Sequence, residues 1–110
     1  MPDTYDQSLF SLDVTDPDNV ELIEMFLCEL PSRVESLREA MGTNDFGVLC
    51  RLSHQLKGAA PGFGCDPIGQ HAATLEADLK NKSDDEIALE DVKTHLDALI
   101  ESCQRYIDAA

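Results

Sequence analysis

The chain is poor in cations and has no long apolar run, and each shortage argues against a class of protein. Its 110 residues contain 8 Lys and Arg against 22 Asp and Glu, a formal net charge of −14. Nucleic acids and anionic membranes are bound through cationic patches, so we expect neither as a partner. No stretch approaches the ~18 apolar residues of a membrane span. Residues 1–20 carry five Asp and no Lys or Arg, the opposite of a signal peptide.

Cysteine pairs and nucleotide motifs are also missing from the sequence. The four cysteines are dispersed, with no C-x-x-C pair and no disulfide-scaffold density: Cys28, Cys50, Cys65 and Cys103. Reduced thiols in a cytoplasmic protein are therefore expected. A P-loop, a Gly-rich nucleotide motif and a Ser-His-Asp set are all lacking. The sequence predicts no ATP site and no kinase or other enzyme activity of its own.

The residue usage indicates an all-α protein. There is no Trp, aromatic residues make up only 5% of the chain, and Leu and Ala are frequent while β-branched runs are rare. A chain of 110 residues is one domain and can bury roughly two-thirds of its unfolded surface without metals or disulfides. We predict a single domain over residues 1–110, with an N-terminal arm or short helix at 1–15 and a helical bundle at 16–110.

The first long helix is predicted to begin at Asp16-Pro17, with Asp as N-cap and Pro at the first helical position. Its apolar stripe stays in phase across Pro31, which favours one kinked helix over two helices. Gly42 is expected to be its C-cap. The stripe comprises Ile23, Phe26, Leu27, Leu30, Val34, Leu37 and Met41.

Three further helices are predicted. Asn44 or Asp45 caps the second helix, which stops near Pro61-Gly62, and Asp66-Pro67 repeats the N-cap and proline signal for the third. The third helix frays at residues 81–83, and Ser83 with the acidic residues 84–86 announces the last. Their core stripes are Ile68, Ala72, Leu75 and Leu79, then Leu89, Val92, Leu96, Leu99, Cys103 and Tyr106. Short connections make neighbouring helices antiparallel, which predicts an up-down four-helix bundle.

The second helix has two distinct faces. At 3.6 residues per turn, its core face comprises Leu49, Leu52, Leu56 and Ala59. The opposite face comprises Gly47, Cys50, His54, Lys57, Gly58 and Pro61. A histidine thus lies on the solvent side, with a lysine at i+3 and a glycine at i+4. Packing of a hydrophobic core does not require a histidine, a lysine and a glycine at this spacing on an exposed helix face. An imidazole is largely neutral near pH 7 and can act as a nucleophile.

The segment His54 to Gly64 reads His-x-Leu-Lys-Gly-Ala-Ala-x-x-Phe-Gly. It resembles the signature of histidine-containing phosphotransfer (HPt) domains of two-component phosphorelays. The resemblance extends from about Asp16 to the end of the chain. It implies a phosphorelay intermediate that accepts a phosphoryl group from a receiver-domain aspartate and passes it to another receiver. The partners would then be response-regulator receivers and a sensor or hybrid histidine kinase, with Mg²⁺ supplied by the receiver.

The resemblance also implies roles for individual residues. His54 would be the phosphoacceptor, and Lys57 would neutralise phosphoryl oxygens as a point charge. Gly58 would leave room for a partner's active site. Inside a helix it costs about 1 kcal/mol relative to Ala, which indicates a role beyond packing. Glu76, on a flank of the third helix, would accept from Nδ1–H of His54 and leave Nε2 as the nucleophile.

Four residues around His54 are predicted to bind the partner: Cys50, Arg51, Gln55 and Pro61. Two other interpretations of the site remain open. In one, the chain is a helical docking module that binds receivers or kinases and is not phosphorylated. In the other, Cys50 and His54, spaced i, i+4, chelate zinc, although further ligands are missing nearby. A monomer without a cofactor or metal of its own is expected.

Overall fold

The computed structural model describes residues 5–80 and 87–110, and within these ranges it contains helices and no strand. The four long helices are α1 (Pro17–Gly42), α2 (Phe46–Ala59), α3 (Asp66–Lys80) and α4 (Leu89–Ala109). Short 3₁₀ helices lie at Gln7–Leu9 and Ala60–Phe63. Each long helix packs on two others, in the circular order α1, α2, α3, α4. The predicted all-α four-helix bundle is confirmed; the division into an arm and one domain stays a prediction.

The core is built from one apolar stripe per helix, as the periodicity predicts. The stripe residues predicted for α3 are all buried, and so are those of α4 apart from Leu89, which is exposed. In α1 the stripe ends at buried Ala40, and Met41 is only half-buried. Cys28 is exposed, because the neighbouring Leu27 takes the core position.

The α1 helix begins where the sequence predicts it. The Asp16 carboxylate accepts from the backbone N–H of Asp18 at 2.9 Å, and Pro17 is the first helical residue. The helix continues through Pro31, which lies on the exposed side. Gly42 is the last helical residue and Thr43 is the C-cap, so the predicted C-cap was wrong by one position.

The later helix boundaries differ in detail from the prediction. Of the two candidates for the N-cap of α2, Asp45 accepts from Val48 N–H at 3.1 Å, whereas Asn44 takes a left-handed turn at φ +54°. Asp66 is the first helical residue of α3 and not its N-cap. Its carboxylate instead accepts from the Ser11 hydroxyl at 3.2 Å. The fraying predicted at residues 81–83 and the predicted start of α4 at 83–86 lie outside the described residues.

The N-terminal segment packs against the bundle through aromatic contacts. The Phe10 ring lies edge-on to both Tyr5 and Tyr106, with centroid distances of 5.5 and 5.2 Å. Phe10 and Val14 are buried, and the Tyr106 hydroxyl donates to the Leu9 carbonyl. This segment is therefore part of the core.

The same segment also fixes the turn between α2 and α3. Ser11 N–H donates to the Gly64 carbonyl at 3.0 Å. Gly64 has φ +80°, and a Cβ there would lie 3.0 Å from the Leu12 side chain and 3.1 Å from its backbone nitrogen. Both the left-handed conformation and this close approach require glycine. The turn that joins the His54 helix to the Glu76 helix is thus fixed by contacts with the N-terminal segment.

Candidate functional site

His54 projects from α2 into solvent because the opposite side of the helix is buried. The fully buried positions of this segment are Leu49, Ser53, Leu56 and Ala60. The stripe is thus rotated slightly from the predicted one, and Leu52 and Ala59 are half-buried. Buried Ser53 is satisfied by donating to the Leu49 carbonyl at 2.8 Å. The His54 side chain remains 65% exposed.

Glu76 reaches His54 from α3 as a nearly buried carboxylate. Its side chain is 6% exposed, and Oε2 lies 2.5 Å from His54 Nδ1. The other oxygen, Oε1, accepts from Lys57 Nζ at 2.7 Å. The Lys57 hydrogen bond, with a smaller contribution from His54, holds the pKa of Glu76 below its ordinary value even though burial opposes this. Glu76 is therefore an ionised acceptor for both neighbours.

The ionised carboxylate determines which ring nitrogen of His54 is available. A carboxylate can only accept, so Nδ1 must carry the proton in this contact. In the neutral ring the lone pair then belongs to Nε2. The arrangement can hold an imidazole in one tautomer and leave Nε2 as a nucleophile on an exposed helix face.

The Lys57 side chain beside His54 is not a free cation. Its ammonium is bound to Glu76, although the side chain remains 45% exposed. One carboxylate therefore neutralises the lysine and orients the imidazole at the same time. The three side chains form one hydrogen-bonded unit across α2 and α3.

The glycines on the exposed face of α2 have no packing reason within the fold. A Cβ added to Gly58 would meet nothing within 4 Å. At Gly47 it would meet only the Asp45 carboxylate, at an ordinary 3.7 Å. Alanine would fit at both positions and would favour the helix. The space over His54 is therefore left open towards the solvent.

Gly69 is a residue of the site region that the sequence reasoning missed. A Cβ there would lie 3.0 Å from Pro61 Cγ and Cδ and 3.6 Å from the Lys57 carbonyl. Pro61, predicted to bind the partner, is exposed, yet its ring also packs over Gly69. This close approach holds α3 against the end of α2, two turns before Glu76. A glycine within an amphipathic helix was the available signal.

A shallow depression surrounds the histidine between α2 and α3. It is lined by Gly47, Cys50, Arg51, His54, Glu76 and Lys80. Arg51 and Gln55 are exposed and Cys50 is half-buried, so these predicted partner-binding residues lie around His54. Lys80 was not singled out from the sequence. No group of three or more His, Cys, Asp or Glu is placed to hold a metal within residues 5–80 and 87–110.

Comparison with known proteins assigns the family. Residues 21–104 match the Hpt domain. The chain belongs to the Hpt domain family. It is 35% identical over 92 residues to the phosphorelay protein LuxU of Vibrio vulnificus, covering 82% of this chain and 78% of that protein. LuxU of Vibrio harveyi is 34% identical over 64 residues, 57% of this chain and 56% of that protein.

A solved structure supports the same assignment. The Hpt domain of a sensor hybrid histidine kinase from Shewanella matches with a TM-score of 0.71 and 25% identity, covering 84% of this chain and 78% of that one. Hpt proteins of phosphorelays interact with receiver domains and histidine kinases and are not themselves kinases. This Hpt domain is a phosphotransfer intermediate of a two-component phosphorelay. No helix among its described residues is long and apolar enough to cross a bilayer.

Proposed function

We propose that His54 is the phosphoacceptor of this Hpt domain and that Nε2 is the atom that takes the phosphoryl group. The observation that carries the proposal is the 2.5 Å contact between His54 Nδ1 and the Glu76 carboxylate. In the neutral ring it leaves the lone pair on Nε2, on a side chain that is 65% exposed. A nucleophile that must meet another protein's aspartyl phosphate needs both properties.

In the forward step, the Nε2 lone pair attacks phosphorus and forms an N–P bond. The bond between phosphorus and the receiver's aspartate oxygen breaks, and the electron pair leaves with the aspartate carboxylate. The Nδ1 proton stays in place, so no proton is gained or lost. Positive charge that develops on the ring faces the ionised Glu76 carboxylate, which stabilises it as the carboxylate of a catalytic triad stabilises its imidazolium. Transfer to a second receiver is the same step reversed.

The surroundings of His54 suit a partner that closes over the ring. Gly47 and Gly58 present no side chain beyond the helix surface, and the fold itself would accept alanine at both positions. Clearance for an approaching protein accounts for glycine at these positions despite its cost of about 1 kcal/mol in a helix. Arg51, Gln55, Cys50 and Pro61 would form the rim that the receiver contacts.

The remaining chemistry would come from the partners. The kinase and its ATP site would belong to another protein or domain, and Mg²⁺ would arrive with the receiver, as the family implies. A monomeric, cytoplasmic domain without a cofactor of its own is part of the proposal. With a net charge of −14, neither nucleic acid nor an anionic membrane is proposed as a partner.

Phosphotransfer from a panel of phosphorylated receiver domains tests this assignment. Wild type should acquire an acid-labile, alkali-stable label, and His54→Gln should acquire none. His71→Gln, which changes an exposed histidine elsewhere on α3, should be labelled like wild type. Binding of receivers without any transfer to wild type would contradict the proposal and support the docking module.

A further inference from the structure

The charges around His54 do not balance once a phosphoryl group arrives. Glu76 carries one negative charge and Lys57 one positive charge, and the 2.7 Å hydrogen bond between them neutralises both locally. A phosphoryl group adds a charge of about −1.5 to −2 at neutral pH. The ring, which becomes positive with Nδ1 still protonated, offsets one of these charges, and the Lys57 charge is already balanced by Glu76. Other cations near His54 can offset the remainder.

Two other cations line the same depression and are not paired with Glu76. Arg51 lies on α2, one turn before His54, and Lys80 lies on α3, one turn after Glu76. Neither forms an ion pair with a residue of the described ranges, 5–80 and 87–110. Both side chains are exposed, and they flank the histidine from the two helices that form the site. Their positive charges can therefore offset the part of the phosphoryl charge that the ring does not.

We propose that Lys80 is a further residue of the phosphotransfer site, which together with Arg51 supplies the countercharge for the phosphoryl group on His54. The inference rests on the proposed function of His54. Lys57 then serves mainly to hold Glu76 ionised and in place, while Lys80 and Arg51 receive the phosphoryl oxygens. Because the lysine side chain is flexible, the charge at position 80 can move with the phosphoryl group during the transfer.

The test compares Lys80→Gln with Lys93→Gln. Both substitutions remove one exposed lysine and change the net charge equally, but Lys93 lies in the groove between α1 and α4. Phosphoramidate, a small anionic donor, labels histidine without a docking protein, so the rate reports on the site alone. One exposed unit charge about 4 Å away changes a rate roughly fivefold. We expect Lys80→Gln to be labelled about fivefold more slowly than wild type, and Lys93→Gln at the wild-type rate.

A second measurement separates a direct role from a merely structural one. In a ³¹P NMR titration of the phosphorylated protein, a nearby cation favours the doubly ionised phosphoryl group. The titration midpoint should therefore move to higher pH in Lys80→Gln and stay unchanged in Lys93→Gln and Lys80→Arg. Equal rates and midpoints in Lys80→Gln and wild type would overturn the role of Lys80. Failure of folded wild type to be labelled by phosphoramidate and by every receiver would instead contradict the proposed function.

Discussion

Replacing Glu76 by Gln removes the charge of the orienting residue while keeping its shape. The carboxylate offers an acceptor to each of two donors, His54 Nδ1 at 2.5 Å and Lys57 Nζ at 2.7 Å. An amide offers one acceptor oxygen and one donor N–H₂ group, so one of the two contacts must be lost or reversed. If the amide N–H₂ faces Nδ1, the proton moves to Nε2 and the nucleophilic lone pair is lost.

The size of the effect follows from the strength of the hydrogen bond. A bond to a charged group contributes about 1.5–3 kcal/mol and a neutral one about 0.5–1.5 kcal/mol. The difference, roughly 1–1.5 kcal/mol, changes the ratio of the two His54 tautomers about five- to tenfold. The same free-energy difference applies to the positive charge that develops on the ring during transfer, so we expect phosphoramidate to label Glu76→Gln about five- to tenfold more slowly than wild type. Nitrogen-15 NMR of the imidazole should show a matching loss of the Nδ1–H form.

The same substitution has a defined pH dependence. The pKa of Glu76 is lowered from its ordinary value of 4.5, first by the Lys57 hydrogen bond. A lowered pKa contributes stability that is fully present above the ordinary value and is lost as pH falls through the folded value. The part of the difference in free energy of unfolding between wild type and Glu76→Gln that comes from the Lys57 hydrogen bond should be fully present above the ordinary value of 4.5 and shrink as pH falls below it.

The control for the change in net charge is Glu101→Gln, which replaces an exposed glutamate on α4. It should match wild type in labelling rate and in the imidazole spectrum. A Glu76→Gln protein with the wild-type rate and the wild-type tautomer ratio would refute the argument that the carboxylate orients His54.

Three other substitutions test the surroundings of the site. Gly58→Ala should raise the free energy of unfolding by about 0.5–1 kcal/mol in urea titrations. It should slow transfer from receivers and leave the rate of phosphoramidate labelling unchanged. Equal slowing with both donors would contradict the clearance role. Gly69→Ala should lower the free energy of unfolding by about 1–3 kcal/mol, because the added Cβ would be forced against Pro61. NMR should also show a weakened His54–Glu76 contact, and an unchanged contact would contradict the positioning role of Gly69. Tyr106→Phe should cost about 0.5–1.5 kcal/mol in urea titrations through the lost bond to the Leu9 carbonyl; unchanged stability would count against it.

The parts of the fold that depend on local sequence could be predicted. Periodic leucines and the Asp16-Pro17 start gave α1, and the spacing around His54 placed it on the solvent side of α2. Glu76 was found through the family resemblance, since its spacing alone indicates only a flank position. The errors at Gly42 and Asp66 are each one residue, the range over which helix ends vary with capping.

The parts that depend on contacts between distant segments could not be predicted. The role of Gly69 exists only because the Pro61 ring lies above it, and Asp66 is used by Ser11, 55 residues earlier. The ion pair that engages Lys57 is likewise set by how α3 packs on α2. Lys80 joins the depression for the same reason. A stripe of apolar residues shows which face of a helix is buried, but not which residues of the next helix meet it.

The measurement that tests the account most directly is to locate the phosphoryl group in the ¹⁵N-labelled, phosphorylated protein by ³¹P and ¹⁵N NMR. The account predicts an N–P bond at Nε2 of His54, with Nδ1 still protonated and hydrogen-bonded to Glu76. A phosphoryl group on Nδ1 of His54, or on any residue other than His54, would contradict it.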